Sequence, residues 1–230
     1  VIIGCIEETA LHVYKLPFDD TEDTIKCVLL VKIENPIKDH VPLLDKISFC
    51  PYVPEENDKE DDFSVQLLVW VRGNKFECYS LKSIIDTYGN GVHKVENIKE
   101  GIVRSCEDDR ALITCCTFSP DGTTLAIGSD DGYIRFYQIY FHETVPRCLH
   151  SWSPHDGAPI SNFFFLDNHT QPIAGSSLWK YVVTLAKNNT EIKVSSCDSW
   201  KTLQTIQFKS ATDKQLSLKA EIDRTSSYLI

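Results

Sequence analysis

Polar residues suited to chemistry or recognition fall into four short segments, each next to a predicted strand. These segments are Asp108-Asp109-Arg110, Asp130-Asp131, His155-Asp156 and Asn188-Asn189. The neighbouring histidine and aspartate could form a general base if a nucleophile or a substrate group lay within hydrogen-bond reach. The chain contains no G-x-S-x-G elbow or comparable nucleophile to serve as that partner. We therefore expect no catalytic residues and no enzymatic activity.

The sequence also lacks the usual patterns that hold metals and cofactors. Its seven histidines show no H-x-x-x-H spacing, and none of its nine cysteines form the two-residue gap of a zinc knuckle. The segment Gly89-Asn90-Gly91 is followed by neither the lysine nor the helix of a phosphate loop. We expect no metal and no cofactor, and we expect the cysteines to be buried, reduced thiols.

The composition favours a globular protein that does not coat nucleic acid. Of the 230 residues, 42% are hydrophobic, and the formal net charge is −10. A chain of this length can bury a full core. Because nonspecific affinity for nucleic acid comes from Lys and Arg, the acidic balance argues against RNA as the main partner. No apolar run approaches the roughly 20 residues of a membrane helix, and no charged-then-apolar leader opens the sequence.

The clearest structural signal lies between Ala111 and Tyr140, where three predicted strands are joined by two turns. In the first turn, which runs from Ser119 to Gly122, proline fixes φ and glycine accepts a positive φ, so the chain reverses. Asp131-Gly132 forms the second turn, whose aspartates are expected to satisfy their own backbone amides. Short antiparallel strands with tight turns are typical of the inner part of a propeller blade.

The same register recurs along the chain. Tyr14, Tyr79, Tyr137 and Ser195 occupy equivalent places in predicted strands and recur about every 60 residues, which is a blade period lengthened by loops. One such loop is the acidic segment from Glu55 to Asp62, which cannot bury itself; its use as a docking strip stays an open alternative.

The remaining elements follow from apolar runs bounded by turn residues. A helical turn is predicted between Ser80 and Val92, and the tail from Leu216 to Ile230 is predicted to open a fifth blade. The chain begins without Met, ends inside a predicted strand and contains no Pro-rich or Gly/Ser-rich linker, so we expect one domain over residues 1–230, truncated at both ends. The predicted strands are Ile2 to Ile6, Ala10 to Leu16, Thr24 to Glu34, Lys46 to Cys50, Ser64 to Val71, Lys75 to Leu81, Ile113 to Phe118, Thr124 to Gly128, Tyr133 to Tyr140, Ile160 to Phe165 and Glu191 to Ser196.

Residues 116–139, CTFSPDGTTLAIGSDDGYIRFYQI, resemble a WD repeat, with Asp131 in the tight turn and Tyr137-Gln138 in the place of the Trp-Asp pair. Further segments extend the likeness over most of the chain, and they are similar to the amino-terminal WD domain of the enhancer-of-mRNA-decapping scaffold family, whose plant member is called Varicose. These segments are Gly4 to Thr9, Tyr137 to Tyr140, Pro146 to His150, Pro154 to Gly157, Phe165 to His169 and Leu203 to Phe208.

This resemblance implies an all-β, WD-repeat-like β-propeller, with about four blades in this chain as part of a seven-bladed ring. Members of the family gather the decapping enzyme, its activator proteins and associated decay factors in cytoplasmic processing bodies, and the partner enzyme performs the catalytic step. The resemblance therefore implies a protein-interaction domain of a decapping scaffold, with any oligomerisation through other regions. The alternatives left open are an RNA- or cap-binding propeller and a generic WD-repeat adaptor.

Equivalent loops of adjacent propeller blades come to one face, so we expect the four polar segments to form one partner-binding surface. In a WD blade, a histidine placed like His155 can also hydrogen-bond into the blade. In many WD blades a chain of side-chain hydrogen bonds braces the strands. Because tyrosine or serine replaces the usual tryptophan at the recurring position, we expect this chain of hydrogen bonds to be incomplete here and stability to come mainly from strand packing. The predicted partner-binding residues are Asp108, Asp109, Arg110, Asp130, Asp131, His155, Asp156, Asn188 and Asn189.

Overall fold

The computed structural model describes residues 2–16, 27–35, 45–51, 67–107, 111–139, 147–166, 179–211 and 216–222. Several sequence predictions lie wholly or partly outside these ranges. The site residues Asp108, Asp109 and Arg110 and the acidic segment from Glu55 to Asp62 lie wholly outside them. The starts of the strands predicted from Thr24 and Ser64, and the tail after residue 222, also lie outside them.

The described residues form sixteen strands, one α-helix and one short 3-10 turn. The helix, α1, is Leu81–Tyr88, and the 3-10 turn is Val95–Asn97. The strands are β1 (Ile2–Glu7), β2 (Ala10–Lys15), β3 (Val28–Glu34), β4 (Lys46–Phe49), β5 (Leu67–Arg72), β6 (Lys75–Ser80), β7 (Gly91–Lys94), β8 (Ile102–Glu107), β9 (Ile113–Phe118), β10 (Thr124–Ser129), β11 (Ile134–Gln138), β12 (Cys148–Trp152), β13 (Ile160–Phe165), β14 (Tyr181–Ala186), β15 (Glu191–Ser196) and β16 (Thr202–Gln207).

The strands pair into four four-stranded sheets, which confirms the predicted blades. The first sheet has the order β1-β2-β3-β7 and the second β4-β5-β6-β8. The third contains β9 to β12 and the fourth β13 to β16, each in chain order. The last three sheets are antiparallel throughout. The seven-bladed ring and the single-domain organisation stay predictions.

The core lies between neighbouring sheets rather than inside any one of them. One buried cluster joins Leu11 of the first sheet to Trp70 of the second. Another joins Phe76 of the second sheet to Ile127 of the third, and further apolar side chains join the third sheet to the fourth. Burying a side chain of this size contributes about 1.5–3 kcal/mol, so each sheet depends on the next for its stability. This face-to-face stacking is the radial packing of a propeller.

Gly128 on β10 lies at a close approach of the third and fourth sheets. A Cβ atom at this position would lie 2.5 Å from Sγ of Cys115 and 2.8 Å from Cγ2 of Ile160. Only glycine leaves room for the two sheets to pack at this distance.

The recurring position predicted from the sequence is also a recurring structural position. Tyr14, Tyr79, Tyr137 and Ser195 each lie on the second-to-last antiparallel strand of their sheet. In every case the pairing with the following strand shifts register between this residue and the one before it. The four residues are therefore equivalent, even though the fourth is a small serine.

An insertion in the second sheet completes the edge of the first. Between β6 and β8 the chain forms α1, whose N-terminus is capped by the Ser80 side chain, and then β7. β7 pairs in parallel with β3, with Val31 opposite Gly91 and Glu34 opposite Lys94. The sequence predicted only a helical turn between Ser80 and Val92. Turn residues and alternating polarity report on neighbouring residues, so they do not predict that β7 pairs with the distant strand β3.

Further predictions differ from the structure in part. Of the strand predicted from Thr24 to Glu34, residues 24–26 lie outside the described ranges, Cys27 is not in a strand, and the described strand is Val28–Glu34. The tail from 216 to 222 contains a single bridge residue, Ile222, and no strand in its described part. Cys5, Cys27 and Cys148 are exposed, so the prediction of buried thiols is wrong for them, although all nine cysteines are free.

Candidate interaction surface

Antiparallel topology brings two kinds of loop to one edge of the sheets. The segment that enters the first strand of a sheet and the turn between its second and third strands both lie at the same ends of the strands. In the third sheet these two loops hydrogen-bond directly. The Asp130 amide donates to the Leu112 carbonyl at 2.9 Å, and the Leu112 amide donates to Oδ1 of Asp130 at 2.9 Å. We call this side of the molecule the loop edge.

Two turns at the loop edge also hydrogen-bond to the segment that follows their own sheet. The amide of Ile113 donates to the carbonyl of Gly73 at 2.9 Å, which joins the second sheet to the third. The amide of Leu218 donates to the carbonyl of Asn188 at 3.0 Å, which joins the fourth sheet to the tail. The tail therefore lies where the first strand of a fifth blade is predicted. Backbone hydrogen bonds therefore brace the loop edge at these two places.

Asp131 braces its own turn. Its Oδ2 accepts a hydrogen bond from Nη2 of Arg135 at 2.6 Å, and its Oδ1 accepts one from the Tyr133 amide at 3.1 Å. Partial burial raises the pKa of Asp131, but the hydrogen bonds from Arg135 and Tyr133 outweigh burial and lower the pKa below its ordinary value. The carboxylate is therefore ionised and committed to the turn. Asp130, its neighbour, is exposed.

His155 lies inside the fourth sheet rather than on the surface. It is only 1% exposed, its Nδ1 donates to Oε1 of Glu191 at 2.7 Å, and its Nε2 lies 2.9 Å from Oγ1 of Thr184. This arrangement confirms the predicted hydrogen bond into the blade. The hydrogen-bond chain ends there, because Oγ of Ser195 is buried without a hydrogen-bond partner in the described part of the molecule. The braced chain is thus incomplete, as the sequence predicted.

The charge state of this buried pair follows from its surroundings. Burial lowers the pKa of His155 below its ordinary value despite the nearby carboxylate, so the imidazole is neutral near pH 7. Burial raises the pKa of Glu191, but hydrogen bonds from Lys187 and His155 outweigh it and lower the pKa to about 2. Glu191 is therefore ionised, and Nδ1 of His155 carries the proton. Nε2 then accepts the hydroxyl proton of Thr184.

Asp156 points away from its neighbour. Its side chain is 98% exposed, and its closest cationic group is Nζ of Lys193 at 4.0 Å. Because His155 is buried on Glu191 while Asp156 faces solvent, the two side chains do not form a catalytic pair. The backbone of Asp156 has a φ of 53°, which fits a turn residue that a short polar side chain tolerates.

The turn that contains Asn188 and Asn189 combines an exposed residue with a partly buried one. Both adopt positive φ, at 57° and 64°, which favours asparagine in a tight hairpin. Asn188 is exposed. Nδ2 of Asn189 donates to the Leu218 carbonyl at 2.7 Å, so this side chain holds the tail against the turn.

The structure thus divides the predicted site residues into two groups. Asp130, Asp156 and Asn188 are exposed at the loop edge, whereas Asp131, His155 and Asn189 mainly hold the loops in place. Glu191 was not identified from the sequence as a functional residue. Its position at the start of a strand, directly after the asparagine turn, could have indicated that it lies near the loops. Lys193, which donates to the Pro154 carbonyl at 2.7 Å, was also not identified.

The rest of the described structure adds no further candidate centre. Across the described ranges, no group of three His, Cys, Asp or Glu side chains is placed to hold a metal ion. In that same part of the chain, no helix has both the length and the apolar character of a membrane span.

Three features together define a WD-repeat β-propeller. They are the radially stacked four-stranded sheets, the Ser-Pro-Asp-Gly hairpin and the histidine that hydrogen-bonds into its blade. A family model described as the WD40 region of Ge1, enhancer of mRNA-decapping protein, matches residues 1–230. The chain belongs to this family.

Full-length relatives agree with this assignment. The chain is 40% identical to the enhancer of mRNA-decapping protein 4 homolog of Drosophila melanogaster over 236 aligned residues, which cover 100% of the chain. It is 31% identical to enhancer of mRNA-decapping protein 4 of Danio rerio and 33% identical to that of Homo sapiens, with 100% and 99% of the chain covered. The chain spans 17%, 17% and 16% of the length of these relatives.

Proposed function

We propose that this chain is the propeller of a scaffold that promotes mRNA decapping, and that its loop edge docks the decapping enzyme or its activator proteins in cytoplasmic processing bodies. Two observations support the proposal. The relatives are named as enhancers of decapping, which describes promotion of a reaction. The observation that carries the proposal is the loop edge, where exposed polar side chains stand on turns that are braced by hydrogen bonds.

The construction of the loop edge suits binding of a protein partner. The turns are fixed by Asp131, His155 and Asn189, so their neighbours Asp130, Asp156 and Asn188 are held without the need for a ligand to order them. Prior ordering of a surface reduces the entropy lost on association. No reacting group is assembled among these side chains, and the catalytic step is assigned to the partner.

The charge of this surface favours protein over RNA. The side chains proposed to contact a partner, Asp130, Asp156 and Asn188, are two carboxylates and one amide. Lys187, Leu112 and Tyr133 are also exposed at the loop edge, and the whole chain carries a net charge of −10. A surface that binds phosphates is expected to show clustered Lys and Arg and a steep loss of affinity with salt. We therefore expect no salt-sensitive binding of capped RNA at physiological ionic strength.

The test is capture of purified decapping enzyme and activator by the chain and by the double variant Asp156→Gly with Asn188→Gly. Glycine accepts the positive φ at both positions, so the substitution removes exposed side chains without backbone strain. Asp198→Asn is the matched control, because Asp198 is exposed in the turn between β15 and β16, at the opposite edge.

We expect the double variant to lose capture by roughly tenfold while the control keeps it. Equal capture by all three proteins would exclude the loop edge as the docking surface. A filter-binding titration with capped RNA provides the second arm. Tight, salt-sensitive binding there would favour an RNA- or cap-binding propeller instead.

A further inference from the structure

The first sheet carries an open pocket beside the turn between β1 and β2, apart from the loops considered above. Its volume is about 420 Å³, and its walls include the turn between β1 and β2 and the end of β3. The backbone amide of Asn35 donates to the Thr9 carbonyl at 3.0 Å, which fixes the end of β3 against that turn. Glu8 holds the turn with a φ of 53°. The pocket is therefore built by two backbone segments that are joined to each other.

The charged side chains around the pocket are predominantly acidic. Glu7, Glu8 and Glu34 line it together with one lysine, Lys32, whose Nζ lies 2.9 Å from Oε1 of Glu34. Lys94 lies opposite Glu34 in the β3–β7 register. Both lysines therefore lie next to Glu34.

Glu7 and Glu8 remain available to a ligand. Among described residues, Nε2 of His12 lies 3.7 Å from Oε2 of Glu7, and Glu8 forms no ion pair within 4.0 Å. Lys32 interacts with both carboxylates only at longer range. The Glu7 side chain is 72% exposed. These two carboxylates make the entrance of the pocket negatively charged, and a cationic group can reach it from solvent.

A second, independent feature lies in the wall of the pocket. Asn35 is only 1% exposed, and its side-chain oxygen, Oδ1, has no hydrogen-bond partner in the described part of the molecule. A buried carbonyl oxygen without a donor costs about 1–3 kcal/mol. A ligand that brings an N–H donor into the pocket would remove this cost.

The required ligand must donate several hydrogen bonds and carry positive charge. A guanidinium group presents five N–H donors in a plane and binds carboxylates through paired hydrogen bonds, whereas an ammonium has three donors around a point charge. Carboxylates on one side and an amide oxygen in the wall match the guanidinium better.

We propose that this pocket binds the side chain of an arginine in a peptide segment of a partner protein. The proposal rests on the docking function proposed above and names the chemistry of one partner contact. Glu7 and Glu8 attract and orient the guanidinium, and Oδ1 of Asn35 accepts one of its hydrogen bonds.

The test uses two synthetic pentapeptides, acetyl-Gly-Gly-Arg-Gly-Gly-amide and the same peptide with citrulline, a neutral isostere of arginine. Each is titrated into the isotopically labelled chain, and backbone and side-chain amide shifts are followed by NMR. We expect saturable shifts centred on Thr9, Asn35 and the side-chain amide of Asn35. We also expect the citrulline peptide to bind at least about tenfold more weakly.

Two variants of the chain test whether the arginine peptide binds in this pocket. The double variant Glu7→Gln with Glu8→Gln keeps the shape of exposed side chains and is expected to weaken the arginine peptide by about fivefold or more. Glu96→Gln is the control, since Glu96 is exposed on the 3-10 turn and does not line the pocket. Equal binding of the two peptides, shifts elsewhere on the chain, or an unchanged affinity of the double glutamine variant would each overturn the proposal.

The result is separable from the docking test. If the arginine peptide fails to bind while capture of decapping proteins still depends on Asp156 and Asn188, the pocket assignment falls and the docking function stands. If the peptide binds as expected while decapping proteins are not captured, the pocket assignment holds for a different partner.

Discussion

Nδ1 of His155 lies 2.7 Å from Oε1 of Glu191, and this hydrogen bond joins residues that are 36 positions apart in the chain. Both side chains are buried, at 1% and 4% exposure. The bond ties the segment that enters the fourth sheet to the turn between its second and third strands. The fourth sheet thus obtains the shape of its loop edge from a contact inside the blade.

Replacing His155 by leucine is expected to destabilise the chain by about 1–3 kcal/mol, because the buried Thr184 hydroxyl and Oε1 of Glu191 each lose their shortest hydrogen bond. They keep only longer contacts to the carbonyl and Nζ of Lys193, at 3.5 Å and 3.8 Å. Urea unfolding followed by circular dichroism measures the loss. The control is Asp156→Asn at the neighbouring exposed position, where we expect a change within about 0.5 kcal/mol. Equal stabilities of the two variants would contradict a bracing role for His155.

The stability of the chain is expected to fall as the pH drops from neutral. The pKa of His155 is lowered in the folded state, mainly by burial, so the unfolded chain binds a proton near pH 6.5 more readily than the folded chain does. Stability is therefore lost below about pH 6.5. Glu191, whose folded pKa is about 2, adds a second loss as the pH falls below its ordinary value of 4.5.

The free energy of unfolding, measured between pH 7.5 and pH 5 for the natural chain and for His155→Gln, checks this expectation. The variant should lack part of the slope, and a residual slope is expected because burial also lowers the pKa of His150. Identical pH profiles would show that His155 does not contribute.

Gly132→Ala is expected to cost more stability than Gly157→Ala. The two glycines have nearly the same positive φ, 82° and 81°, so the conformational penalty of about 1–2 kcal/mol is shared. The two positions differ in the room available for a side chain. A Cβ at 132 would lie 2.5 Å from the carbonyl carbon of Gly157, whereas a Cβ at 157 meets nothing within 4 Å. The difference between the two unfolding free energies therefore measures the close contact of the third and fourth sheets. If the two alanine variants were equally stable, this contact would not constrain the fold.

A buried polar cluster in the second sheet is expected to be sensitive to loss of its central residue. Glu77 accepts hydrogen bonds from Arg72 and Tyr79 and lies 2.8 Å from Nζ of Lys75. Glu77→Ala leaves the guanidinium of Arg72 buried without its carboxylate, which costs about 3–5 kcal/mol. Tyr79→Phe leaves the ion pair in place and should cost only about 1 kcal/mol.

The double variant Arg72→Met with Glu77→Leu separates the two contributions to this cost. Because it removes both charges and fills the space, we expect it to be more stable than Glu77→Ala alone. Thermal unfolding of the three variants provides the comparison. A double variant no more stable than Glu77→Ala would show that the unpaired charge of Arg72 does not account for the cost.

Local signals in the sequence predicted the blades well. The Ser119-Pro120-Asp121-Gly122 turn and the spacing of Tyr14, Tyr79, Tyr137 and Ser195 depend on backbone conformation and strand period, which a few neighbouring residues determine. The structure places all four recurring residues at the same register shift.

Contacts between distant residues were not predictable in the same way. The sequence predicted that His155 can hydrogen-bond into its blade but did not identify Glu191 as the partner, because that choice depends on how the segment before β13 passes the β14–β15 turn. The pairing of β7 with β3 likewise depends on an insertion that returns to an earlier sheet. The arrangement of Asp108 to Arg110 at the loop edge stays a prediction.

The β3–β7 pairing has a consequence for the order of events during synthesis at the ribosome. The outer edge of β3 can form its hydrogen bonds only with residues Gly91–Lys94, and these residues are translated after β6 and α1. At translation speeds of about 5–20 residues per second, that edge stays unprotected for several seconds. A nascent chain stalled just before Gly91 is therefore expected to be more prone to aggregation and proteolysis than one stalled just after Lys94 has cleared the exit tunnel.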